Sequence, residues 1–315
     1  MPTLYTRLTK NILRTTVFLI FLCTRLVGQQ SPQLSLYSEN SVYLNPALSG
    51  LESNSFVQLH YRNQWTGYNT SSGNTGSLGT QILSFSNPAI FKIIGISGYL
   101  LNDKVPSGAG QIQGVIQGSV NKSIGDGKLS LGIGIGLNRR SLDGRNYIYR
   151  DPNDSVLDPY LNQTVSSEKI IPGLGIAYGN ETYQFGVSYN SLAALQVHGN
   201  YNLYLGNEIE LNPNLLIRYY QGKILAQPGF RLNLNQTIWF GGSYRLGDAA
   251  IGMVGLNLKD NKLNLGYSLD YTLINQIVKA PLSHEVFIRF NLPKFEKKVK
   301  WTPVKTPRFN YILTQ

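Results

Sequence analysis

The sequence predicts an all-β fold: an antiparallel transmembrane β-barrel of about fourteen strands, with short periplasmic turns, longer outer loops and a basic periplasmic C-terminal tail. Three observations carry that expectation. The first is a two-faced alternation, clearest from Lys262 to Leu273. There Leu263, Leu265, Tyr267, Leu269, Tyr271 and Leu273 interleave with Lys262, Asn264, Gly266, Ser268, Asp270 and Thr272. Successive side chains of a strand point to opposite faces, so this run has one apolar and one polar face. At about twelve residues it suits a tilted strand that crosses a bilayer. The second observation is that the pattern returns along most of the chain, with no long helical periodicity against it. The third is the parity of the connections. The longest, about residues 66–74, 141–168 and 274–283, all follow odd-numbered strands, whereas the even-strand turns are short. A soluble β-sandwich has no reason to obey that rule.

Composition agrees. A chain of 315 residues with 11% aromatic and 14% charged residues suffices for one large domain. Its mean hydropathy is slightly negative, too polar for a helical membrane protein. A barrel escapes that test because only alternate residues of each strand meet lipid.

Residues 1–28 read as a secretory leader: Arg7, Lys10 and Arg14 precede a short apolar run, Val17 to Leu22. That run is far below the roughly 18 residues of a spanning helix. Cys23, the only cysteine, lies inside the leader, and Ile20-Phe21-Leu22 before it lack the small residues of a lipidation site. A mature chain without thiols excludes disulfide, zinc-thiolate and cysteine-nucleophile chemistry. Removing Arg7, Lys10, Arg14 and Arg25 from 28 basic residues leaves 24 against 17 acidic, a charge near +7. The basic residues are spread among strands rather than clustered, so no nucleic-acid partner is expected.

Residues 29–54 are expected as a periplasmic N-terminal segment, with turns at Asn45-Pro46 and Ser49-Gly50. The barrel is expected over 55–292. Its first strand, about Ser55–Trp65, sets Val57, Leu59 and Tyr61 against Gln58, His60 and Arg62. Further strands follow to about Ser86 and over about Lys92–Leu101, and Asn102 to Gly108 reads as a loop. The strand at Gln111–Asn121 opposes Ile112, Ile116 and Val120 to Gln113, Gln117 and Ser119, and Gly125-Asp126-Gly127 marks a hairpin. From Leu129 to Leu137 large aliphatics alternate with Ser130, Gly132, Gly134 and Gly136, glycines that leave room in a lumen or let strands curve. Residues 141–167, rich in Asp, Asn, Pro and Tyr, form the longest interruption. Alternating strands then continue to Leu292 through mostly tight connectors. Residues 293–315 are a basic tail, with Lys294, Lys297, Lys298, Lys300, Lys305 and Arg308 against Glu296. It is either a solvated end or a docking tail for a periplasmic partner.

No catalytic, cofactor-binding or metal-binding residue set emerges. His60 and His198 fall on polar, inward faces, and His284 lies near an outer loop. Ser283-His284-Glu285 is contiguous, whereas a triad needs side chains converging from separate positions. Gly132-x-Gly134-x-Gly136 sits mid-strand with no helix after it, which excludes a dinucleotide site. Arg62, Arg218, Arg231, Arg245 and Arg289 fall on the polar face with Glu210, Asp270 and Glu285, as charge ladders across a polar lumen or an anion path. Trp65 and Tyr271 are expected in an interfacial aromatic girdle. Tyr147, Tyr149 and Tyr160 are expected as partner-docking side chains of the long outer loop.

Several motifs resemble one family. Leu44-Asn45-Pro46-Ala47-Leu48-Ser49-Gly50, followed by Tyr61-Arg62-Asn63-Gln64-Trp65, is similar to the N-terminal signature of PorP/SprF outer-membrane proteins. Asn102-Asp103-Lys104, Gly242-Ser243-Tyr244-Arg245 with Asp248-Ala249, Gly266-Tyr267-Ser268 with Asp270-Tyr271, and Ser283-His284-Glu285 follow in the family's order. Pro307-Arg308-Phe309 resembles the end of members with a periplasmic extension, while 141–168 and Ser191-Leu192-Ala193 match weakly. The resemblance implies a non-enzymatic barrel of the type IX secretion and gliding motility machinery. It implies export or surface attachment of a particular secreted partner, often an adhesin, and contact with periplasmic ring or peptidoglycan-associated components. No cofactor is implied. On this reading loop 141–168 meets the secreted partner. Leu44–Gly50 and the tail, with Lys297, Lys298, Lys300 and Arg308, meet periplasmic machinery or plug the barrel. The alternative is an outer-membrane porin for a small hydrophilic solute.

Overall fold

A computed structural model describes residues 32–293, apart from 53, 70–74, 91–92, 107, 145–162, 191–193, 207, 221 and 275–278. Fifteen strands carry the fold in the described residues. They are β1 (Phe56–Asn69), β2 (Thr75–Ile90), β3 (Ile94–Lys104), β4 (Ala109–Ile124), β5 (Gly127–Asp143), β6 (Thr164–Gly179), β7 (Tyr183–Asn190) and β8 (Ala194–Tyr201). They continue as β9 (Leu203–Tyr204), β10 (Ile209–Tyr220), β11 (Lys223–Leu234), β12 (Ile238–Arg245), β13 (Ala249–Leu258), β14 (Leu263–Thr272) and β15 (Leu282–Asn291). β8 and β9 both pair with β10 and make one stave interrupted at Asn202. Each stave pairs antiparallel with its sequence neighbours, and β1 pairs with β15, so the sheet closes as a 14-stave barrel.

Alternation decides which face each residue takes. On β5, Leu131, Ile133, Ile135 and Leu137 are 57–67% exposed on the outside, while Ser130 and Asn138 are buried inside. The same split holds on β14, where Ser268 and Asp270 are buried beneath an exposed Tyr267, Leu269 and Tyr271. A continuous apolar outer band of this kind is stable against lipid and untenable in water. The short turns Gly125-Asp126, Asn235-Gln236 and Lys259–Asn261 lie at the end where β1 begins and β15 stops; the long connections lie at the other.

Several strands run past their expected ends. Asn102–Lys104 belong to β3 and pair with Gly110, Gln111 and Ile112. Ser141–Asp143 and Thr164–Ser167 extend β5 and β6 as one ladder and shorten the interruption between them. Polar inward positions near the mouth of a barrel keep their ladder hydrogen bonds, so loss of the apolar pattern there does not end the strand.

Within the expected periplasmic segment 29–54, the sequence leaves Leu44–Gly50 either to meet periplasmic machinery or to plug the barrel. From Leu34 onward the described segment lies within the barrel. It folds as a 3-10 turn (Tyr37–Glu39), one turn of α-helix (Ser41–Leu44) and a second 3-10 turn (Pro46–Gly50). Leu34, Leu36, Val42, Ala47 and Leu48 are at most 1% exposed. They pack on inward Phe56, Ile82, Tyr99, Leu101, Val115 and Leu216, and Leu36 packs on Trp239 and Phe287. The hydrophobic core is therefore the interior of the barrel, supplied half by the wall and half by the segment that precedes it.

Candidate functional site

The plug is held at three places, and each uses polar groups that alternation turns inward. The first is a knot around Ser35. Its hydroxyl donates to Asp270 Oδ2 (2.6 Å) and accepts from Arg62 Nη1 (2.6 Å) and Arg245 Nη2 (2.9 Å). That is the full capacity of a hydroxyl, one donor and two acceptor pairs. The Ser35 and Leu36 amides donate to the two oxygens of Glu285 at 2.8 and 3.0 Å, and Gln227 Nε2 donates to the Ser35 carbonyl. Arg62 bridges Glu285 (2.9 Å) and Asp270 (2.8 Å), so two cations and two anions neutralise one another out of contact with water. Arg62 and Glu285 also face each other across the β1–β15 pair, which places the ion pair on the seam that closes the barrel.

The second place is the Asn40 cap. Asn40 Oδ1 accepts from the Tyr43 amide and from Ser84, and its Nδ2 lies 3.1 Å from His60 Nδ1. The Gln58 amide also points at His60 Nδ1, so the ring proton belongs on Nε2, 3.6 Å from Glu285.

The third is the turn Leu44–Gly50, four of whose carbonyls are taken up by the wall while those of Asn45, Pro46 and Leu48 are bonded within the plug itself. Ser188 donates to the Leu44 carbonyl, Ser130 to that of Ala47, Ser86 to that of Ser49 and Asn121 to that of Gly50. Asn45 Nδ2 donates to the Ile176 and Val187 carbonyls and lies 3.1 Å from His198 Nε2. This close seating needs glycine in the wall: a Cβ on Gly132 would overlap the Ala47 backbone, and one on Gly175 the Asn45 side chain. Ion pairs finish the turn end of the plug, Glu39 with Arg231 (2.6 Å) and Glu52 with Arg289 (2.8 Å). Burial works to raise the Glu52 carboxyl, but Arg289 and the Ser41 hydroxyl hold it below its ordinary value.

Two cavities flank the plug and share no lining residue. The one at the long-loop end, about 1160 Å³, is walled by Trp65, Arg140, Leu142, Arg218, Tyr220 and Leu246 and floored by Pro32 and Gln33. The one at the short-turn end, about 830 Å³, is lined by Glu39, Glu52, Arg231, Arg289 and a set of asparagines.

A family model described as type IX secretion system membrane protein PorP/SprF matches residues 26–290. The chain belongs to the PorP/SprF family. No curated protein matches it. Among solved structures it is similar to the Acinetobacter baumannii outer membrane protein Omp33, at 10% identity over 77% of this chain and 100% of that one, TM-score 0.48. It is also similar to the Ralstonia pickettii toluene transporter TbuX, at 11% identity over 79% and 92%, TM-score 0.48. At these identities neither lends this PorP/SprF member its function.

The structure brings together much of what the PorP/SprF motifs scatter along the chain. Arg62, Arg245, Asp270 and Glu285 come from four motifs and meet on Ser35, which no motif contains. Leu44, Asn45, Pro46, Ala47 and Gly50 form the seated turn. Tyr61 points outward, and His284 bonds the Tyr267 hydroxyl through Nδ1 on the outer face. Asp103 accepts from Thr80 beside the loop-end cavity, which Gln64 also lines. Asn102 meets Gln81, Asn63 lies near Thr66, and Ser283 accepts from the Trp65 amide. Lys104 closes β3, its backbone paired with Gly110 and Gly79.

Trp65 departs from the expected girdle. It sits at a break in the β1–β2 register with φ 55° and lines the cavity, Lys279 lying 5.3 Å over its ring. A left-handed backbone is costly for so large a residue. Tyr271 does point outward. Tyr147, Tyr149, Tyr160, Lys297, Lys298, Lys300 and Arg308 lie outside the described residues, as do the leader and the tail.

Proposed function

We propose that this outer-membrane barrel is a non-enzymatic accessory of type IX secretion that supports export or surface attachment of one secreted partner, an adhesin. Family membership makes it a membrane component of that system. The observation that carries the finer reading is where the family signature goes: Leu44–Gly50 fills the lumen instead of lining a path through it. A barrel packed shut by its own N-terminal segment is suited to docking at its ends more than to passing solute. On this reading the secreted partner meets the long-loop end, through loop 141–168 with Tyr147, Tyr149 and Tyr160. The tail residues Lys297, Lys298, Lys300 and Arg308 meet periplasmic ring or peptidoglycan-associated components.

Deleting the gene and profiling the culture medium and cell surface tests this. Loss of one secreted or surface-attached protein is the expected result. An unchanged secretome with intact surface adhesins removes the proposal. The rival, a porin for a small hydrophilic solute, requires the plug to leave, and no described contact favours that.

A further inference from the structure

The loop-end cavity is lined by a buried cation, Arg218, for which the described residues supply no anion. Arg218 stands on the inward face of β10 and is 94% buried, at 6% exposure, yet it lines the cavity. Among the described residues no carboxylate lies within ion-pair distance of it, and its Nε has no hydrogen-bond acceptor. Four other inward arginines differ: Arg62 and Arg245 are tied to Asp270, Arg231 to Glu39 and Arg289 to Glu52, while Arg140 lines the same cavity as Arg218. Two residues along, on the same face, the Tyr220 hydroxyl is also buried without a partner and lines the same cavity. A buried guanidinium left unpaired is costly, and so is a buried hydroxyl. Two such donors, two residues apart on one strand, face the same hollow.

The surroundings indicate what acceptor the two donors suit. Trp65, Leu142, Val165, Leu225 and Leu246 line the cavity, and its carboxylates are already engaged, Asp103 with Thr80 and Asp248 with Arg245 and Lys279. A mostly apolar hollow of several hundred Å³ or more with a few converging donors is the usual form of a small-ligand site. We propose that the loop-end cavity binds a carboxylate carried on an apolar body, with Arg218 and Tyr220 as its donors. The carboxylate belongs either to a free small acid or to the C-terminus of a polypeptide. The site stands apart from the secretion reading, because its test measures binding alone.

Calorimetric titration of the purified full-length barrel in a non-ionic detergent tests it. The probes are hexanoate, neutral hexanamide, and one short apolar peptide with a free and with an amidated C-terminus. The acids are expected to bind, and each neutral form to bind about tenfold or more weakly, the loss of one charge-assisted hydrogen bond. Arg218→Gln should lose a similar factor while Arg218→Lys keeps part of the affinity. Binding of hexanoate identifies a free acid as sufficient, and binding of the free-acid peptide alone identifies a polypeptide end; either supports the site. Equal affinity of acid and amide, unchanged affinity in Arg218→Gln, or no binding of any acid overturns it. Should Arg218→Gln not fold, Tyr220→Phe keeps the test open: several-fold weaker binding supports the site, and wild-type affinity overturns it.

Discussion

Ser35 ties together four charged residues that are far apart in sequence, Arg62, Arg245, Asp270 and Glu285. Buried ion pairs contribute little net stability compared with apolar packing, because desolvation offsets most of the attraction. Removing one member is different, since it strands the others. Arg62→Met leaves two carboxylates facing one guanidinium and is expected to cost about 3–5 kcal/mol, read as a lowered denaturant midpoint. Ser35→Ala removes the acceptor shared by both arginines and is expected to cost about 1–3 kcal/mol by the same measurement. A midpoint unchanged in both variants would show that the plug is not seated there. The inward direction of Arg62 and Glu285 was legible, because alternation alone assigns it. Their pairing was not, since it depends on the first and last strands meeting. Ser35 gave no signal, being one serine in a stretch without periodicity.

At the scale of the element, the plug is a peptide that bonds partly to itself and partly, through the Leu44, Ala47, Ser49 and Gly50 carbonyls, to the wall. The Ser49 and Ser97 hydroxyls lie 2.6 Å apart, one on the plug and one on β3. Cysteines at both positions, in a Cys23→Ser background, are expected to form a disulfide on mild oxidation, seen by mass spectrometry of the tryptic digest. Free thiols after oxidation would place Ser49 elsewhere. Gly132→Leu is expected to unseat Ala47 and speed hydrogen exchange over residues 44–50, with the barrel ladder unchanged. The Glu52–Arg289 clasp has its own signature. A carboxyl held below its ordinary value adds stability above the unfolded pKa, about 4.3, and loses it as pH falls through the lower folded value. Hydrogen exchange over residues 41–52 is therefore expected to rise below about pH 4 before the strands respond. The sequence showed that this segment is not a strand, through Asn45-Pro46 and Ser49-Gly50, and its inward glycines announced spare room. What joins the two is shape complementarity across the lumen, which no local pattern encodes.

For the whole molecule, closure was legible from the count of two-faced strands, and the grouping of the long connections at one end from the lengths of the turns. The course of the N-terminal segment was left open, Leu44–Gly50 being expected either at periplasmic machinery or as a plug. Within the described residues Pro32 and Gln33 line the long-loop cavity, while Asn291 ends at the opposite mouth. The cause is the plug itself, which traverses the lumen before β1 starts. A cysteine at Gln33 is expected to react with a membrane-impermeant reagent from the same side as one at Gly222, and from the side opposite to Asp260. The central claim is that the lumen is shut by residues 34–51, and planar-bilayer conductance tests it most directly. The full-length barrel is expected to pass no steady current, and a variant lacking residues 34–51 to open a lasting channel. A steady current through the full-length barrel, as large as that of the shortened one, would contradict the claim.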